Sequence, residues 1–230
     1  LPYGAILRDG GVQFVVYSRS ASALRILLYD SVTAAEPAEV IGLDPAYDRW
    51  GDIWSVFVPR LGAGQLYHVQ ADGPFDPERG QRFDGRARLI DPYAKALAGE
   101  FAIDADGRLL PPKCVVVDDA FDWKGDRHLC RGLADTVIYE LHVRGFTASP
   151  TSGVKHPGTY LGVIEKIPYL KSLGVTAVEL MPVHEFPTEL PSGEKPPHGN
   201  YWGYDPLAFF APHRGYAAGT EPGCQVREFK

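Results

Sequence analysis

The first third of the chain consists of short apolar runs separated by turn signals. The runs are rich in β-branched and aromatic residues, a composition that is typical of strands. Glycine-containing turns, among them residues 9–11 and 62–64, lie between the runs. We interpret 62–64 as the turn of a hairpin between antiparallel strands. The pattern predicts a small antiparallel β-sandwich, with strands at residues 12–17, 24–29, 54–58 and 65–69.

After Leu133 the pattern predicts a strand, a helix and a second strand. Residues 136–143 have the composition of a strand. Leucines and isoleucines at helical spacing follow, and they predict a helix that Pro168 should kink or restart and Gly174 should end. Residues 175–181 form a nearly continuous apolar run, which is typical of a strand buried on both faces. This order of elements predicts one unit of a parallel sheet.

Residues 72–131 are rich in proline, glycine, aspartate and arginine and contain few periodic runs. We interpret them as a long, structured connection. The two regions therefore predict two domains. The β-sandwich with its connection is expected at residues 1–120, and the α/β domain at residues 121–230.

Composition narrows the class of partner. The chain has 230 residues, of which 45% are hydrophobic and 12% aromatic, enough for one large or two smaller domains with a real core. The net charge is −6 with no basic cluster, so the sequence predicts no nucleic-acid partner and no anionic membrane surface. No apolar run approaches the roughly 20 residues of a membrane span. A neutral partner is expected.

Cysteine and histidine spacing argues against a disulfide framework and a metal site. Cys114, Cys130 and Cys224 are odd in number and show no CxxC spacing. The sequence therefore predicts reduced thiols in a cytoplasmic protein, with no cofactor. No metal is expected either, because the remaining candidate ligands share no ligand spacing. Those candidates are His142, His198 and His213.

The stretch HGNYWGYDPLAFFAP, residues 198–212, places many aromatic rings among glycines and prolines. It closes the long loop that follows the second predicted strand of the α/β domain. In parallel α/β folds, loops at the carboxyl ends of the strands carry the chemistry. Rings beside polar groups suit a sugar, because its C–H faces stack on aromatics while its hydroxyls take hydrogen bonds. The sequence therefore predicts a carbohydrate site here. Its rings are Tyr201, Trp202, Tyr204, Phe209 and Phe210.

Several side chains have two interpretations. Asp205 either bonds a sugar hydroxyl or forms an Asx turn before Pro206. His184 beside Glu185 invites an acid/base role, but without a nucleophile nearby we favour a structural one. Trp202 and Tyr201 either pack within the loop or contact a ligand, and we favour packing. In the first domain three aromatic residues either form a sugar-stacking platform or fill the core, and we favour the core. These are Trp50, Trp54 and Tyr67.

The chain resembles the amino-terminal part of isoamylase-type glycogen-debranching enzymes, in glycoside hydrolase family 13, the α-amylase family. The first domain resembles a family 48 carbohydrate-binding module, an immunoglobulin-like β-sandwich, and the second resembles the start of a (β/α)8 barrel. The module's marks are DGP at 72–74, GQRFD at 80–84 and LIDPYAK at 89–95. The barrel's marks are YELHVRGFT at 139–147, LGVTAVELMPV at 173–183 and NYWGYDP at 200–206.

The resemblance implies hydrolysis of α-1,6 branch points in glycogen or limit dextrin. It also implies that Tyr204 stacks on the sugar ring at the cleavage point; the alternative is that this ring packs within a tight loop. Asp205, Trp202 and His184 are the further candidates for contact with the substrate. The family's aspartate nucleophile and glutamate acid/base stand after later barrel strands. They are expected beyond Lys230, so the resemblance predicts that this chain alone does not catalyse.

Two alternatives stay open. One is a branching enzyme of the same family, which makes α-1,6 links; the connection from residue 79 to residue 93 favours debranching over it. The other is a non-catalytic glucan-binding or scaffold protein. The length of the natural reading frame discriminates between an enzyme and a scaffold.

Overall fold

The structure, a computed structural model, describes residues 2–188 and 199–230. His198, a residue of the predicted site stretch, lies outside them. The first strands are β1 (Gly4–Arg8), β2 (Gly11–Tyr17), β3 (Ala23–Tyr29), β4 (Glu39–Leu43), β5 (Arg49–Trp50), β6 (Ile53–Pro59), β7 (Leu66–Asp72), β8 (Phe75–Asp76) and β9 (Gln81–Arg82). They are followed by β10 (Leu97–Ala98), β11 (Ala102–Ile103), β12 (Leu109–Leu110), β13 (Lys113–Val115), β14 (Ile138–Leu141), β15 (Ala177–Leu180), β16 (His184–Glu185) and β17 (Ala208–Pro212). The α-helices are α1 (Val143–Thr147), α2 (Tyr160–Glu165), α3 (Ile167–Ser172) and α4 (Cys224–Phe229), and short 3₁₀ turns include Arg214–Tyr216.

Two antiparallel sheets form the predicted sandwich. One sheet has the order β1-β2-β6-β5 and the other the order β10-β13-β7-β3-β4. Each of the four predicted strands is present, and one core cluster takes side chains from both sheets, among them Phe14, Trp54, Ile26 and Tyr67. The prediction for residues 62–64 is wrong. They connect β6 in one sheet to β7 in the other, so the turn passes between layers and forms no hairpin.

The preference for core packing is confirmed for two of the three aromatic residues of the module and is wrong for the third. Trp54 and Tyr67 are buried, and the indole Nε1 of Trp54 donates to the Ser18 carbonyl at 3.1 Å. Trp50, in contrast, is 90% exposed. The register explains this difference. Arg49 pairs with the inward-facing Trp54, so the next pair, Trp50 and Ile53, faces outward.

The connection is ordered around a buried aspartate. Asp91 accepts hydrogen bonds from the Tyr67 hydroxyl at 2.8 Å and from the Tyr93 backbone N–H at 2.9 Å. Burial raises the pKa of Asp91 above its usual range. The neighbouring ring of Tyr93 stacks on Phe210 of β17, with ring centroids 5.3 Å apart. The motif at residues 89–95 therefore ties the sandwich to the aromatic stretch.

The second region contains the predicted strand, helix and strand. β14 and β15 pair in parallel, with Ile138 opposite Ala177 and Leu141 opposite Leu180. The predicted helix is present as α2 and α3, broken at Lys166, with Pro168 at the start of α3 where its missing N–H costs no hydrogen bond. The last turn is followed by Gly174 in the left-handed region, with φ +81.

Two details of this region differ from prediction. The first strand ends at Leu141 rather than at residue 143, because His142 caps α1 instead of continuing the strand. Burial of the second strand on both faces is wrong for the described chain, since Val178 is 41% exposed. Apolar side chains of β14 and β15 face solvent where no described element covers them. The apolar composition of β14 and β15 is thus typical of strands covered on both faces, and the described residues cover these strands only in part.

β17 and α4 pack against the sandwich. Ala208 and Ala211 of β17 belong to the sandwich core cluster. Gln225 of α4 is buried, and its amide donates to the Leu97 carbonyl at 3.1 Å. Arg214, just after β17, pairs with Glu100 at 2.8 Å. These contacts fix the aromatic stretch relative to the module.

Candidate carbohydrate site

The carboxyl end of β14 is joined to the aromatic stretch through His142. Its Nδ1 accepts the Gly145 N–H at 3.1 Å, so the ring proton lies on Nε2, which donates to the Tyr201 carbonyl at 2.8 Å. The rings of His142 and Tyr201 stack 4.0 Å apart. The hydroxyl of Tyr216 lies 3.1 Å from the same Nε2, and burial raises the pKa of Tyr216 to about 12, so this hydroxyl stays protonated. His142 therefore positions the loop.

Gly145 leaves the space that Tyr201 occupies. A Cβ at this position would stand 2.3 Å from the Tyr201 hydroxyl oxygen but an ordinary 3.6 Å from the ring carbon that carries it. We expect Gly145→Ala to destabilise the protein by about 1–3 kcal/mol, because Tyr201 must leave its stack on His142. Urea unfolding checks this value.

The matched control for Gly145 is the same change in a Tyr201→Phe background. Without the hydroxyl, alanine fits and adds helix propensity to α1, so Gly145→Ala should be neutral there or stabilising by up to about 1 kcal/mol. An equal cost in both backgrounds would contradict the packing described between these two residues.

The loop that carries Tyr204 is held from within by Asn200. The amide nitrogen of Asn200 donates to the Pro187 carbonyl at 3.1 Å and to the Asp205 carboxylate at 2.5 Å, and its oxygen accepts the Gly203 N–H at 3.2 Å. Gly203 has φ +73 and approaches the Phe186 ring so closely that a Cβ would lie 2.5 Å from it. Only glycine suits this position.

The predicted site residues differ in exposure. Tyr204 is 72% exposed, so the interpretation as a packed ring is wrong. Trp202 is 54% exposed and meets the Tyr201 ring edge-on at 5.0 Å. The Asx-turn interpretation of Asp205 is also wrong, because the Leu207 N–H that would close such a turn donates to the Glu185 carbonyl instead. The Asp205 carboxylate is exposed.

His184 and Glu185 point to opposite faces of β16 and form no acid/base pair. His184 is exposed and its ring lies 5.9 Å from that of Phe209. Glu185 is fully buried; its carboxylate accepts the Arg214 backbone N–H and the Arg214 guanidinium, each at 2.8 Å. The structural role favoured for Glu185 agrees with this geometry, and His184 keeps its place as a surface candidate.

Three residues of this region were not predicted to belong to the site. His213 is buried beside Glu185, with its Nδ1 3.3 Å from the carboxylate, and its ring stacks on Phe186 at 3.8 Å. Asn200 and Arg214 supply the contacts described above. An asparagine before a glycine-rich turn is a signal that could have indicated Asn200. The pairing of β16 with β17, which brings the other two to Glu185, has no local signal.

Comparison with known proteins defines the class. Residues 2–94 match the family model for carbohydrate-binding module 48, described as the isoamylase N-terminal domain. Along its whole length the chain is 42% identical to isoamylase 1 of rice (Oryza sativa subsp. japonica) and 36% identical to the glycogen debranching enzyme of Yersinia enterocolitica. The resemblance to isoamylase-type debranching enzymes is confirmed, since the whole chain is similar to part of these enzymes.

The chain spans 30% of the rice isoamylase and 36% of the Yersinia enzyme. Among solved structures, the product complex of the multi-modular glycogen-degrading pneumococcal virulence factor SpuA is 26% identical, with a TM-score of 0.79. The alignment covers 100% of this chain and 25% of that one. The shared architecture therefore extends past the module to β14, β15 and the aromatic stretch.

Proposed function

We propose that the chain is part of an enzyme that hydrolyses α-1,6 branch linkages in glycogen or limit dextrin. One observation supports this most: in a chain similar to debranching enzymes, Tyr204 stands outward on a loop pinned by Asn200, near the carboxyl ends of two parallel strands. An exposed phenol ring held on a fixed backbone suits stacking on a sugar. The relatives reported above are named as isoamylase and debranching enzyme, which favours hydrolysis over branching.

The architecture we propose is an immunoglobulin-like module at residues 1–120 and the beginning of a (β/α)8 barrel at residues 121–230. The parallel pairing of β14 with β15, with α2 and α3 between them, supports the barrel. So do the exposed apolar side chains of Ile138 and Val178, which further strands and helices would cover. A lone two-stranded parallel sheet would leave them in water.

In this proposal Tyr204 forms the platform at the cleaved sugar, and Asp205 accepts a hydrogen bond from a sugar hydroxyl. Trp202 and His184 flank that position. Retaining hydrolysis requires a carboxylate nucleophile and a carboxylic acid about 5 Å apart. We propose that both come from the part of the enzyme that the chain does not include, since the relatives are about three times as long.

The proposed partner is an α-glucan, with no nucleic acid and no membrane. Among residues 2–188 and 199–230, no helix has the length and apolar character to cross a bilayer. The rice relative is named as chloroplastic. A cytoplasmic location for this protein stays a prediction.

Tyr204→Ala in the whole enzyme tests the role of the ring. We expect kcat/KM on a branched dextrin to fall by about 5- to 150-fold, which corresponds to about 1–3 kcal/mol of stacking lost in the transition state. The melting temperature should not change, because the ring is exposed. Steady-state kinetics beside a melting curve measures both quantities.

The control is Tyr169→Ala, which removes a half-exposed tyrosine ring from α3 and should leave kcat/KM as it is. An unchanged kcat/KM for Tyr204→Ala, or a loss of activity matched by unfolding, would show that Tyr204 does not contact the sugar.

A further inference from the structure

His142 uses both of its ring nitrogens to join the end of β14 to the aromatic stretch, and only the neutral ring fits these contacts. Its Nδ1 accepts the Gly145 N–H at 3.1 Å and caps α1, whereas its Nε2 donates to the Tyr201 carbonyl at 2.8 Å. An imidazolium carries a proton on both nitrogens and accepts no hydrogen bond. A second proton, on Nδ1, would therefore set two donors against each other at Gly145.

The ring is enclosed, so a positive charge on it would lose most of its hydration. His142 is 8% exposed. The cavity beside it has a volume of about 10 Å³, close to the space that one water molecule needs. A buried charge costs free energy unless a group of opposite charge compensates it.

Among the residues that the structure describes, the ionisable groups around the ring supply no such compensation. Those from α1, the aromatic stretch and the 3₁₀ turn with the residue before it are Arg144, Tyr201, Tyr216 and His213. Glu140, two residues before His142 on β14, is exposed to solvent. The buried carboxylate of Glu185 lies beside His213 and is already paired with Arg214 at 2.8 Å. A protonated His142 must therefore leave its place to reach water.

We propose that His142 is a positioning residue for the proposed hydrolysis, and that gain of a proton by its ring releases the aromatic stretch from the end of β14. The neutral ring bonds the Tyr201 carbonyl and stacks on the Tyr201 ring at 4.0 Å, three residues before Tyr204. When the ring leaves, both contacts are lost and the platform for the sugar is no longer fixed. Histidine is the side chain that commonly gains a proton between roughly pH 8 and pH 5. The inference rests on the proposed function and adds pH control to the same site.

Two substitutions separate the roles of the two nitrogens. His142→Gln carries an amide nitrogen at the reach of Nε2 and keeps the bond to the Tyr201 carbonyl, whereas His142→Asn places an oxygen near Nδ1 and keeps the cap on Gly145. In the whole enzyme at pH 7.5, we expect kcat/KM on a branched dextrin to be about fivefold higher for His142→Gln, the worth of one hydrogen bond. If His142 only capped α1, asparagine would be the better replacement. Equal values, or a higher value for His142→Asn, would overturn the proposal.

The pH response is measured without substrate at Trp202, whose ring meets that of His142 edge-on at 6.1 Å. With 5-fluorotryptophan in the whole enzyme, the ¹⁹F signal of Trp202 is assigned by its disappearance in Trp202→Phe. We expect this signal to move between pH 8 and pH 5 in the wild type and to stay fixed in His142→Gln. The matched control is His156→Gln, which removes an exposed histidine and should respond as the wild type does. The ratio of the wild-type kcat/KM to that of His142→Gln should fall along the same curve.

A Trp202 signal that stays fixed in the wild type overturns the proposal. So does a signal that moves equally in His142→Gln, because the response would then come from another group such as His213. An enzyme that cleaves no α-1,6 link at any pH, while the Trp202 signal responds as expected, counts against the proposed function alone. The pH-dependent contact between His142 and the aromatic stretch would stand in that case.

Discussion

Replacing Arg214 with methionine should cost about 3–5 kcal/mol of stability, because it removes the partner of a buried carboxylate. Glu185 is fully buried, and the Arg214 guanidinium is the cation that neutralises it at 2.8 Å. Methionine keeps the backbone N–H bond to the carboxylate and fills similar space. The loss of stability therefore measures the effect of removing the guanidinium charge. Urea unfolding followed by near-ultraviolet circular dichroism measures the change.

An exposed ion pair supplies the control. Arg19 pairs with Asp52 at 3.0 Å, but its side chain is largely in water, so Arg19→Met should change stability by less than about 1 kcal/mol. The double variant Arg214→Met with Glu185→Leu should recover much of the loss, since no buried charge remains. A single Arg214→Met variant as stable as the wild type would mean that Glu185 is not isolated from water.

Stability should fall by about 3 kcal/mol between pH 6.5 and pH 4 because of His68, at about 1.4 kcal/mol per pKa unit. Burial, with smaller contributions from the nearby charges of Lys113 and Arg88, lowers the pKa of this histidine from 6.5 to about 4. Between these two pH values His68 is protonated in the unfolded chain but stays neutral in the folded chain. The contribution is therefore complete above pH 6.5 and is lost as the pH falls toward 4.

The His68 ring is satisfied in its neutral form. Its Nε2 donates to the Pro112 carbonyl at 3.0 Å, which leaves Nδ1 to accept from the Tyr29 hydroxyl at 3.1 Å. His68→Gln keeps one donor and one acceptor without a titrating group. The buried Asp91 acts in the opposite direction, since its pKa is raised. Because Asp91 is present in both proteins, its effect cancels when the stability of the variant is subtracted from that of the wild type.

The measurement is the urea midpoint of both proteins at pH 7.5 and at pH 4.5. The wild type should lose stability over this interval, and His68→Gln should lose about 3 kcal/mol less. Parallel curves for the two proteins would contradict the assignment of the pH dependence to His68.

Most of the fold could be predicted from local sequence patterns. Apolar runs and turn residues predicted the sandwich strands, and Pro168 predicted the break between α2 and α3, because each feature acts on its own stretch of backbone. The exposure of Trp50 was not predictable in this way. It depends on which residue of β5 faces Trp54, a register set by a turn whose length the sequence does not reveal.

The same distinction between local patterns and long-range contacts applies to the candidate site. Tyr204, Trp202 and Asp205 were predicted from one loop and a family resemblance, and the structure places them together. The buried cluster beneath them was not predicted, since Glu185 and Arg214 are 29 positions apart and meet only through the pairing of β16 with β17. A carboxylate in an apolar stretch signals neither a catalytic nor a structural role until its partner is known.

The reaction itself is the most direct test of the central claim. Glycogen treated with the whole enzyme that contains this chain can be followed by ¹H NMR, in which α-1,6 and α-1,4 anomeric protons give separate signals. We predict that the α-1,6 signal falls while linear chains with new reducing ends appear. A rising α-1,6 signal would identify a branching transferase, and an unchanged spectrum would leave a glucan-binding protein; either result would contradict the proposed hydrolysis.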